Sequence, residues 1–303
     1  MISSMLLFSM IKPRKWNNFV MNNIPTYFEA LRWASLFIRK NQGDENAPEL
    51  ILMDTMEWSR TELIMHYREK LFPEQWEKFQ TAVKRVAKGE PVQYVTNKAT
   101  FFGREFYVDK RVLIPRVETE ELVETILSKT KRSRQRLRVL DIGTGSGDIA
   151  ITLKLERPEW LVTAVDISKD ALTVAQRNAE SHEAIVDFRL GSLFEPVQGE
   201  RFDLIISNPP YIADNEKHEM DQSVIDFEPH QALFADDHGL FWYKRIADQL
   251  DQYLVEHGEL GCEIGYRQGT DLKKYFLEKK YIDQAEVIKD LSQHDRILWV
   301  KKK

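Results

Sequence analysis

The chain carries one cysteine, Cys262, in 303 residues, so no internal disulfide framework can hold it together. Its seven histidines, at 66, 182, 218, 230, 238, 257 and 294, form no short His or Cys pairing of the spacing a zinc site uses, so the sequence gives a metal centre no support. No apolar run is long enough to span a bilayer. The apolar start, Met1 to Ile11, is too short, and its cations Lys12, Arg14 and Lys15 follow it, whereas a secretory signal carries them ahead. Residues 1–20 therefore read as an upstream extension or a misplaced start codon. The protein is expected to be cytoplasmic and monomeric, without a membrane partner. An excess of positive charge is missing too: a net charge of −5 gives no bulk attraction to polyphosphate, and no direct nucleic-acid partner is expected. Internal repeats and low-complexity tracts are absent. What remains is an ordinary globular composition, 43% hydrophobic and 30% charged, at a length that fits two domains.

The first of these is helical. Tyr27, Phe28, Leu31, Ala34 and Ile38 have helical spacing, with Pro25 suited to the first turn and Gly43 closing the helix. A second helix is expected from Pro48. A third starts at Ser59, which has the capping-box spacing to Glu62, and a fourth from Pro73 sets Trp76, Phe79, Val83 and Val86 on one face. These make a bundle over residues 21–90.

The texture changes at Pro91. Val92-Gln93-Tyr94-Val95 and the run Phe101 to Val108 are rich in aromatic and β-branched residues, which predicts a β-hairpin linker within residues 91–115. A helix through Leu122, Val123 and Ile126 follows, then the basic run Lys129, Lys131, Arg132, Arg134, Arg136 and Arg138, read as a solvated connector. Strands are predicted at 137–142, 161–166, 185–190, 202–207, 259–264, 284–288 and 296–300, alternating with helical segments. Residues 116–303 therefore read as an α/β domain, Rossmann-like, with a mostly parallel seven-stranded sheet.

Two strand ends carry chemistry. The first leads into Gly143-Thr144-Gly145-Ser146-Gly147, whose glycines let the backbone turn sharply and approach a ligand closely. The second ends in Asp166, whose carboxylate can accept both hydroxyls of a ribose. Nicotinamide dinucleotide and S-adenosylmethionine both fit that pair. Counted from Gly143, the third glycine of a dinucleotide fingerprint is replaced by Asp148, and an acid at a helix N-terminus would oppose a pyrophosphate. S-adenosylmethionine has no phosphate and carries a sulfonium cation, so Asp141 and Asp148 favour it. A later strand runs into Ser207-Asn208-Pro209-Pro210-Tyr211. The prolines lack N–H donors and stiffen the loop, Asn208 adds an amide, and Tyr211 adds a flat face. That set suits gripping a planar nitrogen group by accepting its hydrogens.

The chain resembles the HemK/PrmC-type release-factor glutamine methyltransferases, of the class I S-adenosylmethionine-dependent fold, from about Tyr27 to the C-terminus. The resemblance is carried by Pro91-Val92-Gln93-Tyr94, Phe106, Leu113-Ile114-Pro115-Arg116, Glu118-Thr119-Glu120, Asp141 to Gly147, Asp166, Asn208 to Ile212, Phe227-Glu228-Pro229 and Glu263-Ile264-Gly265. It implies that Gly143, Thr144, Gly145, Ser146 and Gly147 hold the methionine part of the cofactor, Asp166 the ribose, and Ser192 and Leu193 the adenine. Asn208 and the Pro209 carbonyl would bind a glutamine amide, with Pro210 and Tyr211 completing the catalytic motif. The implied substrate is the glutamine of the Gly-Gly-Gln loop of peptide chain release factors. The alternative is a nucleic-acid exocyclic-amine methyltransferase, because the Asn-Pro-Pro-Tyr motif is shared with such enzymes. The sequence departs from the family at Ser192, where an acid is usual, at Val117, where proline is common, and at Asn97, where glycine is common.

Overall fold

In the computed structural model, residues 24–41, 43–130 and 136–303 are described. The extension expected over residues 1–20 lies outside them, as do Lys131, Arg132 and Arg134 of the basic run. The chain divides between Lys88 and Gly89 into two compact units.

The first unit consists of α1 (Tyr27–Lys40), α2 (Ala47–Met56), α3 (Arg60–Met65) and α4 (Pro73–Val86). Its core includes Tyr27, Ala34 and Ile38 of α1 and Trp76, Phe79, Val83 and Val86 of α4, as the helical spacing predicts, but on α1 Ala30 is buried where Phe28 and Leu31 were expected, with Phe28 exposed and Leu31 half-buried. Helix α1 begins at Tyr27, two residues later than Pro25 suggests. Thr26 is the N-cap and forms a capping box with Glu29, so Pro25 stands outside the helix and its carbonyl accepts from the Leu71 amide. Ser59 and Glu62 form the same box on α3.

The second unit opens with a helix where a strand is expected. Val92–Thr96 is not a strand but a short helix, α5. The Pro91 carbonyl accepts from the Tyr94 and Val95 amides, and Asn97 ends the helix in the left-handed conformation at φ 59. Buried Val92 and Tyr94 are satisfied by tertiary packing, and this overrides their strand propensity. The hairpin is confined to β1 (Lys98–Phe101) and β2 (Arg104–Tyr107), joined through Phe102 and Gly103, both at positive φ. Then follow α6 (Val117–Lys129), β3 (Arg138–Ile142), α7 (Asp148–Glu156), β4 (Leu161–Asp166), α8 (Lys169–Ser181), β5 (Asp187–Leu190) and β6 (Phe202–Ser207). Two short helices come next, α9 (Gln222–Phe227) and α10 (His230–Leu233). The chain closes with α11 (Phe241–Tyr253), β7 (Leu254–Glu263), α12 (Gly269–Leu277), β8 (Ile282–Lys289) and β9 (Asp295–Lys302).

All seven predicted strands exist and form one sheet in the order β5-β4-β3-β6-β7-β9-β8, parallel except for β9, which runs antiparallel to both its neighbours. Alternate residues feed two cores. Leu140, Ile205, Leu298 and Val300 pack with α11 and α12 on one face, whereas Val139, Leu204, Ile206 and Trp299 pack with α6 and α7 on the other. Phe101 and Phe106 bring the hairpin into the second of these cores. No described helix is long and apolar enough to cross a membrane.

Candidate active site

The sheet reverses its winding between β3 and β6, the place where open α/β sheets leave a crevice beyond their strand ends. Ile142 pairs with Val165 on one side and with Ser207 on the other, so β3, β4 and β6 end level. The glycine loop, Asp166 and Asn208 therefore emerge side by side. Ser207 ties two of these ends together by donating its buried hydroxyl to the Ile142 carbonyl at 2.8 Å.

One wall of the resulting cavity is lined by Gly143, Thr144, Gly145, Ser146, Asp148, Asp166, Ser192 and Leu193. Gly143 and Gly145 have φ of 76 and 54, and a Cβ on either would meet nothing within 4 Å. Gly147 is different. It does not line the cavity, and a Cβ there would lie 2.8 Å from Ile151 Cδ1 and 3.1 Å from Ala175 Cβ, so its absence of side chain serves the packing of α7 against α8. Asp166 accepts from the Gly145 amide at 2.9 Å and the Ser168 amide at 2.8 Å, one on each carboxylate oxygen, and burial raises its pKa. Neither oxygen of buried Asp141 makes a hydrogen bond of normal geometry, nor do the hydroxyls of Thr144 and Ser146, both 2% exposed. Burial pushes Asp141 up to about 7 and Asp148 up to about 6. Leu193 holds φ at 51, an uncommon conformation for a residue with a side chain.

The facing wall is lined by Asn208, Pro209 and Pro210. Tyr211 is not part of it. Its ring packs against the α11 and α12 core, and its hydroxyl donates to Glu263 Oε1 at 3.2 Å. Asn208 Nδ2 donates to Thr119 Oγ1 at 3.1 Å, and Thr119 donates to Glu263 Oε2 at 2.6 Å. Burial pushes Glu263, at the end of β7, up to about 7. The loop's far end is pinned by Gln268, which donates to the Tyr211 carbonyl at 2.9 Å. Only a glycine at 239 allows the neighbouring turn so near that carbonyl, since a Cβ would stand 2.1 Å from it. Glu228 of the Phe-Glu-Pro stretch accepts from the Ile114 amide at 3.2 Å and from Arg116, joining it to the Ile-Pro-Arg stretch beside the cavity.

Thr119, Arg111, Gln231 and Trp242 also line the cavity, and the motif reading assigned none of them a role there. Thr119 was findable: it precedes Leu122, Val123 and Ile126 by helical spacing, on the buried face of α6. Glu263 likewise stands out as an ionisable residue ending a buried strand. Trp242 and Gln231 give no comparable signal.

The electrostatics decide which nucleoside cofactor fits. Among the described residues, the arginines lining the cavity are Arg111 and Arg116, already engaged by Asp109 and Glu228, and no lysine lines it. Asp148 and Asp166 on the wall, with Asp141 behind, would repel a pyrophosphate and suit a cation, while the open glycine backbone leaves room for a ligand. The fold and site together define a class I S-adenosylmethionine-dependent methyltransferase.

Residues 29–96 match the profile of the PrmC N-terminal domain and residues 118–232 that of the methyltransferase small domain. The chain is 39% identical to a release factor glutamine methyltransferase of Enterococcus faecalis, over 89% of this chain and 97% of that one. It is 40% identical to that of Bacillus subtilis, over 90% and 96%. Among solved structures, the hMettl16 catalytic domain in complex with the MAT2A 3'UTR hairpin 1 superposes with a TM-score of 0.54 at 16% identity, over 75% of this chain and 80% of that one. That likeness concerns the fold alone. The chain belongs to the release factor glutamine methyltransferase family.

Proposed function

We propose that the chain transfers the methyl group of S-adenosylmethionine to the side-chain amide nitrogen of the glutamine in the Gly-Gly-Gln loop of a peptide chain release factor. The observation that carries this is the meeting, in one cavity, of the open glycine loop and Asp166 with Asn208, Pro209 and Pro210. The glycine loop would hold the methionine part of the cofactor, Asp166 its ribose, and Ser192 and Leu193 its adenine. Bound there, the cofactor supplies an activated methyl group next to the Asn208 wall.

An amide nitrogen is a weak nucleophile because its lone pair is delocalised into the carbonyl. Asn208 Oδ1 and the Pro209 carbonyl would accept its two hydrogens and fix the nitrogen for in-line attack. Both also direct negative dipole ends at the positive charge that reaches nitrogen in the transition state. Positioning of this kind supplies about 7 to 11 kcal/mol in the best cases, so no strong base is needed before the methyl moves. Tyr211 would act on the amide from behind this wall, through the packing of its loop.

Residues 21–90 are read as the domain that docks the body of the release factor. Phe28 and Leu36 are 52% and 53% exposed and Phe72 is 70% exposed, while Glu45 and Glu74 pair with Arg39 and Lys78 of the same unit. An apolar surface of balanced charge suits a folded protein better than a phosphate backbone. The test is methyl incorporation from labelled cofactor into purified release factor, into its glutamine-substituted variant, and into DNA and RNA. Incorporation into intact release factor alone is expected. Efficient labelling of nucleic acid would favour the exocyclic-amine reading instead.

A further inference from the structure

We propose that Thr119 and Glu263 form a positioning relay that fixes which end of the Asn208 amide faces the cavity. The inference rests on the reading of Asn208 as the acceptor for the substrate amide, and extends it to two residues that do not grip the substrate themselves.

An asparagine amide has two ends of nearly equal size and opposite hydrogen-bonding character. With Oδ1 toward the cavity, Asn208 accepts from a substrate N–H. Turned by half a rotation, it would present N–H groups to a nitrogen that offers only hydrogens, and the grip would become a repulsion. Sterics do not forbid that turn, so hydrogen bonding must.

The structure supplies the constraint. The Thr119 hydroxyl has a single hydrogen, and it is committed to Glu263 Oε2 at 2.6 Å, a length usual for a bond to a charged acceptor. Only lone pairs remain on the side facing Asn208, so Asn208 must offer Nδ2, as it does at 3.1 Å. The direction runs from Asn208 to Thr119 to Glu263. Thr119 is 2% and Glu263 1% exposed, so water does not compete for these bonds. The other oxygen of Glu263 accepts from Tyr211, which places the motif's tyrosine in the same network.

The charge on Glu263 sets that direction. If it is protonated, it can donate to Thr119, whose own hydrogen is then free to meet Oδ1 of a turned Asn208. The groups facing Glu263 divide. Thr119 of α6, Tyr211 of the loop after β6 and Arg296 of β9 favour its charged form, whereas burial, the largest influence, and Glu118 of α6 oppose it. Its pKa of about 7 means that the competent arrangement is lost as pH falls through that value.

The experiment measures kcat, KM and cofactor affinity on full-length protein for Thr119→Val, Thr119→Ser, Asn208→Ala, the Thr119→Val/Asn208→Ala double variant and Glu263→Gln. Thr119→Val is expected to lower kcat by about tenfold to a hundredfold, the range seen when a supporting partner of a functional group is removed. Cofactor affinity should stay unchanged and Thr119→Ser should restore most of the rate. The double variant should be no slower than Asn208→Ala. The wild-type kcat should fall below about pH 7, and Glu263→Gln should lack that limb. Near-native kcat in Thr119→Val, or additive losses in the double variant, would overturn the relay while leaving Asn208 in its role. Near-native turnover in Asn208→Ala would instead overturn the grip on the amide. If Thr119→Val does not fold, the Thr119→Ser rate and the Glu263→Gln profile decide the matter: a slow serine variant or a retained pH 7 limb counts against the relay.

Discussion

On the side built after β3 and β4, polar groups are buried without a hydrogen bond of normal geometry: the hydroxyls of Thr144 and Ser146 on the wall and both oxygens of Asp141 behind it. On the wall built after β6, polar groups are bonded in series, from Asn208 through Thr119 to Glu263, from Tyr211 to Glu263, and from Gln268 to the Tyr211 carbonyl. A buried polar group left unpaired costs about 1 to 3 kcal/mol, so the first wall has free energy to gain from a ligand of the right charge. The second has little left to gain and instead holds one amide in a fixed direction. Binding and positioning are thus separated between two sides of one cavity, and substitutions should separate them too.

The largest effect is expected at Asn208. Asn208→Ala should lower kcat by about a hundredfold to a thousandfold, as loss of a single transition-state hydrogen-bonding group does elsewhere. Calorimetry should show cofactor affinity almost unchanged. A variant that binds cofactor poorly but turns over normally when saturated would erase the distinction between the walls.

Asp166→Ala is the converse. Removing a charge-assisted contact of about 1.5 to 3 kcal/mol should weaken cofactor binding by roughly 10- to 150-fold, with kcat at saturating cofactor nearly intact. Unchanged affinity would mean that the ribose is held elsewhere.

A smaller effect, of about tenfold, is expected from pH. Burial raises Asp141 to about 7 and Asp148 to about 6, so each takes up a proton as pH falls through those values. A bound cation favours their ionised forms, so binding releases protons, and affinity should drop by about tenfold between pH 8 and 6. The free protein should respond in the opposite sense. A carboxyl whose folded pKa is raised contributes stability that is fully present below its unfolded value of 3.8 and lost as pH rises through 6 to 7. Cofactor affinity and the stability contributed by these groups should therefore move in opposite directions over that range. Affinity independent of pH would place the cation away from both acids.

Much of this was legible in the sequence for a plain reason. Strands buried on both faces read as apolar runs, and those at 202–207 and 161–166 coincide with β6 and β4 to the residue. The glycine loop and Asn208 follow such runs directly, so their positions at level strand ends come with the fold. Val92–Thr96 was misread because five residues carry too little periodicity to outweigh β-branched composition. The Thr119–Glu263 bond joins residues 144 apart in sequence, and local pattern cannot foresee such a pairing. Tyr211 was read as a face for the substrate because motif reading follows order along the chain, while the loop turns the ring inward to Glu263.

The smallest effect expected concerns Gly147, which the sequence grouped with Gly143 and Gly145 as one ligand-binding loop. The structure divides them: Gly145 faces open space, whereas Gly147 faces Ile151 and Ala175. Both have positive φ, of 54 and 82, so alanine at either strains the backbone by about 1 to 2 kcal/mol. At Gly147 the new methyl must also push α7 from α8, but it enters no part of the cavity. Gly147→Ala should therefore lower Tm by a few degrees, roughly 2 to 6 °C, with cofactor affinity within about twofold of wild type at a temperature where both are folded. Gly145→Ala should combine a similar loss of Tm with clearly weaker binding, because its methyl projects where the ligand would lie. Equal losses of affinity in the two variants would show that the loop responds as one unit, and that the wall cannot be divided glycine by glycine.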